Sequence, residues 1–291
     1  MTSIGAFLFS FSSQVCCMGW GIPYFRELNK QPTADELSAI LVFFAAMSKP
    51  FFSIYEDNHL LIVDKSPGIL VQGDKTGDKP LLDHCKDYIK KKYDKPGAVF
   101  LGTVHRLDRP VSGLVVFART SKSLERMNKL FKERKIKKVY WAIVKKKPPK
   151  SEDKLVHWLK KDESINKTTA HDKEVEGSQR AELKYKILGH LNDHYLLEVQ
   201  PLTGRPHQIR VQLASMGCPI RGDIKYGFAK PNPDGNINLH ARSLDFIHPV
   251  SAEPVKVVAG VPSNEFWEQY LVLDKKSAKI KSKDKYMDKL Q

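Results

Sequence analysis

Residues 103–120 read TVHRLDRPVSGLVVFART, with an acid, Asp108, standing between Arg106 and Arg109 just ahead of an apolar run. The run GLVVFA (113–118) is short and rich in β-branched and aromatic residues, so it reads as a buried strand rather than a helix. An acid that leads into a buried strand needs a partner, because ionising a carboxylate away from water is costly unless a cation or hydrogen bonds meet it. What surrounds this strand decides the fold.

Upstream, LLIV (60–63) runs into a turn at Lys65, Ser66, Pro67 and Gly68 and then into ILV (69–71), which predicts a strand, a turn and a second strand. Leu81, Leu82, Cys85, Tyr88 and Ile89 recur at helical spacing before Lys90, Lys91 and Lys92, the pattern of an amphipathic helix with cations in its last turn. Downstream, Ser121 can cap a helix that buries Leu124, Met127, Leu130 and Phe131 and ends in KERKIKK. VYWAIV (139–144), AELKYKIL (181–188) and HYLLEVQ (194–200) follow as β-rich segments, and GHLNDH reads as the turn between the last two. Thr203, Gly204, Arg205 and Pro206 mark a helix start, with Ile209 and Leu213 on one face and Gly217 at its end, so Arg210 falls mid-helix. Strands neither alternate strictly with helices nor recur at even spacing, which predicts an α+β fold with a mixed sheet.

The chain has 291 residues, enough for one large or two small domains with a real core. Its 48 Lys and Arg against 33 Asp and Glu leave a net charge of +15, which points to a polyanionic partner, nucleic acid before anionic membrane. Cys16, Cys17, Cys85 and Cys218 form no C-x-x-C pair and no disulfide framework, which fits a reducing cytoplasm. No HExxH, Walker A or GxGxxG stretch is present, so neither a cofactor nor a metal is expected.

Charge divides the chain. Residues 1–46 carry two positive and three negative charges and lack the features of a secretory signal or a bilayer span. We expect an N-terminal extension there, with Met47, where globular patterning begins, as a second candidate start of translation. Residues 47–274 are expected to form the catalytic domain, and 275–291 a Lys-rich tail that cannot fold alone.

His, Arg and turn residues concentrate in HRLDRPVSGL (105–114), PLTGRPHQIRVQLASMGCPIRGDIKYG (201–227) and LHARSLDF (239–246). HRLDRPVSGL resembles the catalytic motif of the RluA family of RNA pseudouridine synthases. YEDNHLLIVDKSPGIL, KKVYWAIV (137–144), TGRPHQIRVQLASMGCPIRGDIKYG and LHARSL resemble further elements of that family in the same order, from about Phe52 to Phe266. The chain departs from the family at Lys65, Ser66, Pro67 and Gly68, where the usual turn is Lys-Pro-x-Gly, and residues 1–46 are too short and too weakly basic for the S4 domain many relatives carry.

The resemblance implies a mixed, mostly antiparallel sheet with flanking helices and a basic active-site cleft. It implies a reaction in which a uridine of structured ribosomal or transfer RNA loses its N-glycosidic bond, the held base rotates, and C5 joins C1′. It assigns Asp108 as nucleophile or base at the sugar, Arg210 as the partner of that aspartate, and Tyr140 as the residue stacked on the base. A guanidinium within about 4–6 Å favours the charged form of a carboxylate. Arg106 then guides the flipped nucleotide, Leu239 lines the base pocket, and Arg205 and His105 join them as substrate-binding candidates. The expected enzyme is a cytoplasmic monomer with no membrane and no protein partner. Two rival readings are a noncatalytic RNA-binding or remodelling protein on this fold, which has no need of the Asp108, Tyr140 and Arg210 set, and a metal-dependent nuclease, which needs clustered carboxylates that Asp108 lacks.

Overall fold

A computed structural model describes residues 49–274. The expectations for residues 1–46 and 275–291 lie outside the described residues. In chain order the strands are β1 (Phe51–Glu56), β2 (Leu60–Lys65), β3 (Gly102–Thr103), β4 (Ser112–Ala118), β5 (Lys137–Val144) and β6 (Glu152–Asp162). They continue as β7 (Lys167–His171), β8 (Gln179–Leu191), β9 (His194–Pro201), β10 (Leu239–Ile247) and β11 (Pro254–Val258). The helices are α1 (Leu81–Lys92), α2 (Ser121–Lys132), α3 (Gln208–Ser215) and the short α4 (Glu265–Glu268).

These eleven strands form one sheet in the order β1-β2-β4-β10-β5-β9-β8-β6-β7, with β3 beside β4 and β11 beside β10. Only β4 and β10 pair in parallel; the rest is antiparallel, as the family resemblance implies. All seven residues of β4 are buried, because neighbours cover both its faces and both its edges. The two-residue period of β2 and β4 sorts their side chains. Leu61, Val63, Val115 and Phe117 pack with Leu81, Cys85 and Ile89 of α1, whereas Leu60, Ile62, Leu114 and Val116 pack with Met127 of α2 and Val255 and Val257 of β11.

The β4–β10 contact spans two residue pairs, His240 with Ser112 and Ala241 with Gly113. Gly113 has φ 109°, and a Cβ there would lie 2.4 Å from the backbone oxygen of Ala241, so no side chain fits. This pinch point lies just past the turn that carries Asp108.

Other local expectations shift by a turn or change type. Residues 69–71 are not a strand; the carbonyls of Leu70 and Val71 instead accept from the Leu81 and Leu82 N–H groups at the start of α1. That use satisfies donors a helix leaves unpaired. The cap of α2 is Thr120 rather than Ser121, with Ser123 answering it in a reciprocal capping box. Arg134 takes a positive φ and ends the helical segment, so Lys137 and Lys138 already belong to β5. β8 and β9 meet through Asn192 and Asp193, both at positive φ, the conformation a two-residue hairpin turn requires. Among the described residues no helix is long and apolar enough to cross a membrane.

Candidate active site

Asp108 sits on a turn between β3 and β4, closed by Val111 N–H donating to the Asp108 carbonyl at 3.0 Å. Three further donors hold that turn. Gly68 N–H and the Lys65 ammonium both reach the Arg109 carbonyl, at 2.8 and 3.2 Å, and Ile237 N–H reaches the Pro110 carbonyl at 3.3 Å. Lys65 is fully buried and spends its other two N–H groups on the Ser66 and Ile69 carbonyls, both at 2.9 Å. Burial pulls this ammonium down to about 7, against the opposing charges of Asp108 and Asp64. The departure from the usual family turn at residues 65–68 therefore leaves a structured loop that clamps the acid's backbone.

Neither flanking arginine pairs with Asp108. Arg109 donates to the Gly68 carbonyl at 3.0 Å and pairs with Asp78 at 2.6 Å. Arg106 is exposed and has no partner among the described residues. The partner is Arg210, whose Nη1 donates to Asp108 Oδ2 at 2.9 Å. The same guanidinium donates from Nε and Nη2 to Asp223, at 2.7 and 2.9 Å. Burial works against a charge on Arg210, but the bonds and charge of Asp223, then of Asp108, outweigh it and hold the arginine more firmly protonated than usual. The two acids differ in access: the Asp223 side chain is 1% exposed and that of Asp108 29%. Arg210 thus rests on a buried counter-ion and holds a carboxylate that opens to solvent.

The loop before α3 explains why that helix begins at Gln208 and not at Pro206. The Gln208 amide accepts from Thr203 Oγ1 at 2.7 Å and from Arg205 N–H at 3.0 Å, and donates to the Glu182 carbonyl at 2.9 Å. Those bonds fix residues 203–207 as a folded approach, and Gly217 at φ 79° ends the helix as its position in sequence suggested.

Tyr140 lies on β5 opposite Ala241 on one side and Val199 on the other. Burial, and then the charge of Asp108, pushes its phenol well above the usual range, so it stays protonated. Leu239 is buried on the same face of β10 as Ala241, in one cluster with Leu107, Val111 and Tyr140. Arg205 donates to the Arg180 carbonyl at 3.2 Å and lines, with Lys161, Thr168 and Pro206, a cavity of about 250 Å³. His105 is engaged elsewhere: its Nε2 accepts from Val116 N–H at 3.1 Å and its ring stacks on Phe131 at 4.9 Å. That bond satisfies a β4 donor between the stretches paired by β10 and by β3.

The sequence reading passed over Asp223, Lys65 and His207. Asp223 and His207 stand in the quoted stretch GRPHQIRVQLASMGCPIRGDIKYG, but no spacing rule joins Asp223 to an arginine 13 residues before it.

A family model described as RNA pseudouridylate synthase matches residues 59–215. The chain belongs to this family of RNA-modifying isomerases, which convert uridine to pseudouridine, and it is an RNA pseudouridine synthase. It is 35% identical to the ribosomal large subunit pseudouridine synthase C of Buchnera aphidicola, over 75% of this chain and 69% of that one. The protein of the same description from Rickettsia bellii is 34% identical over 73% of this chain and 69% of its own length. Human RNA pseudouridylate synthase domain containing 4 superposes with a TM-score of 0.63 at 24% identity, covering 80% of this chain and 95% of that chain. Human RNA pseudouridylate synthase domain containing 1 gives 0.59 at 22%, covering 75% and 86%. Both share the fold.

Proposed function

We propose that Asp108 is the catalytic carboxylate and that the substrate is a uridine of large-subunit ribosomal RNA. The observation that carries the first part is the asymmetric use of Arg210: two of its bonds are anchored on buried Asp223, and the third holds a carboxylate with access to solvent. In this reading Asp108 attacks C1′ or removes a sugar proton as the N1–C1′ bond breaks, because uracil leaves poorly without a covalent partner or a base. The base turns, C5 bonds to C1′ as the Asp108–C1′ bond breaks or as Asp108 returns the sugar proton, and the C5 proton departs while N1 gains one, so the product is an isomer. Tyr140, kept as a neutral phenol, stacks on the base and relays that proton through its hydroxyl rather than as a phenolate. Arg106 and Arg205 meet the RNA, and Leu239 supports the base.

The ribosomal substrate rests on what the bacterial relatives are described as modifying. Residues 47–274 are assigned as the catalytic domain of a monomer acting in the cytoplasm, where the buried thiols Cys85 and Cys218, free among the described residues, stay reduced. The test is a map of pseudouridines in total RNA from cells with and without the gene, repeated with an Asp108→Asn copy restored. Loss of sites in large-subunit ribosomal RNA that only the wild-type copy restores is expected. Loss confined to transfer RNA overturns the substrate, and full restoration by Asp108→Asn overturns the catalytic assignment.

A further inference from the structure

His207, which the reading above leaves unused, adopts φ 53° and ψ 20° as the residue before α3. Left-handed backbone is uncommon for a residue with a side chain and persists where the surroundings demand it. At this position both ring nitrogens face polar groups. Nδ1 lies 2.7 Å from the Tyr226 hydroxyl, and Nε2 lies 3.9 Å from Asp108 Oδ2, the oxygen that Arg210 also holds.

The tautomer follows from the neighbours. Thr168 N–H donates to the Tyr226 hydroxyl at 2.9 Å, and the hydroxyl's own proton can then point at His207 Nδ1, 2.7 Å away, which the contact at the other ring nitrogen favours. Nδ1 then carries no hydrogen, and a neutral ring has its proton on Nε2. The opposite end agrees, because a bare Nε2 lone pair facing a carboxylate oxygen is repulsive and an N–H is attractive. The charged and titratable groups around the ring come from four elements: Asp108 from the turn before β4, Arg210 from α3, Lys225 and Tyr226 from the 3₁₀ turn Ile224–Tyr226, and Lys161 from β6. Burial lowers the histidine's pKa, Asp108 opposes, and Arg210, Lys225 and Lys161 lower it further, so the neutral ring prevails.

We propose that His207 is a positioning residue for Asp108: its Nε2–H shares Oδ2 with Arg210, so that Oδ1 is the oxygen presented to the sugar, and Tyr226 holds the tautomer that makes this contact attractive. Among the described residues Oδ1 has no hydrogen-bond partner, which leaves it open for the substrate. The 3.9 Å approach is longer than a hydrogen bond, and catalytic contacts of this kind commonly tighten only with substrate bound. The inference rests on the assignment of Asp108 as the catalytic carboxylate.

The test uses the full chain with a pseudouridine-forming RNA, reading single-turnover rate, RNA affinity and the pH profile of the rate. His207→Asn tolerates the left-handed backbone and keeps an acceptor for Tyr226 but loses the group that faces Asp108, whereas His207→Gln can still reach with an N–H. His207→Asn is expected to slow turnover by about tenfold to a hundredfold with affinity nearly unchanged, and His207→Gln to recover part of that loss. Tyr226→Phe frees Nδ1 to take a proton, and the resulting imidazolium pairs with Asp108. That cation favours the Asp108 carboxylate, so the acidic limb is expected to move down by about half a pH unit or more, and that shift to vanish in the His207→Asn, Tyr226→Phe double variant. With Asp108→Asn inactive, a wild-type rate in His207→Asn overturns this inference alone. Equal losses of rate, affinity and melting temperature in both His207 variants, or a shift that persists in the double variant, also overturn it. Activity in Asp108→Asn instead removes the reading on which it rests.

Discussion

Two carboxylates share the Arg210 guanidinium, and substituting each by its isosteric amide should separate catalysis from folding. In Asp223→Asn, an arginine side chain that is only 7% exposed loses its two-bond counter-ion and keeps one bond to a partly exposed acid. Removing one member of a buried pair costs about 3–5 kcal/mol, and because Asp108 remains as a partner the lower end applies, about 3 kcal/mol. For a domain of this size that corresponds to a fall in melting temperature of roughly 6–12 °C. In Asp108→Asn, Arg210 keeps Asp223, and the new side-chain oxygen can still accept from Nη1. The loss is part of one charge-assisted bond, about 1 kcal/mol, or roughly 2–4 °C. Activity should run the other way. Asp108→Asn removes the group proposed to attack or deprotonate the sugar and should drop single-turnover pseudouridine formation by about a thousandfold or more, with RNA affinity intact. Asp223→Asn, assayed below its own melting transition, should retain measurable turnover. Thermal melts by circular dichroism and quantification of pseudouridine by mass spectrometry read both outcomes. If Asp108→Asn destabilises the chain as much as Asp223→Asn does, or keeps more than about a tenth of the activity, Asp108 is a structural counter-ion and the assignment fails.

Gly113→Ala should lower the melting temperature by about 5–10 °C, since the added methyl meets the Ala241 backbone at 2.4 Å in a conformation L side chains rarely adopt; a fall below about 2 °C would show that β4 and β10 can separate without consequence. Acid should weaken the fold through His105 and His240, both held at about 3, the first by burial and Lys138 and the second by burial and Arg242. Their folded values lie below the unfolded value near 6.5, so the unfolded chain binds more protons and stability is lost as pH falls from about 6.5 towards 3, by about 1.4 kcal/mol per group per unit. Melting temperatures at pH 7.5 and 5.5 should therefore fall less in His105→Gln than in wild type, and an equal fall would mean that His105 titrates as if exposed.

Local pattern carried much of the fold and singled out the residues proposed here as catalytic. The apolar run of β4, the helical spacing of α1, the β-rich segments that became β5, β8 and β9, and the hairpin at Asn192 and Asp193 were all legible because burial imposes periods of 2 and 3.6 on neighbouring residues. Asp108, Tyr140 and Arg210 were legible through motifs rather than through periodicity. Tertiary structure decided which groups meet. Asp108 is next to Arg109 and two residues from Arg106 in the chain, yet its partner is Arg210, 102 residues away, and that arginine is anchored in turn by Asp223. His105, adjacent to the motif's arginine, is given over to a strand donor and an aromatic ring, and residues 69–71 became the approach to a helix despite their strand-like composition. Periodicity records only which side of an element is shielded from water. The energy of an ion pair depends on separation in space and on how far water is excluded around it, and both are set when distant segments close around the pinch point of β4 and β10.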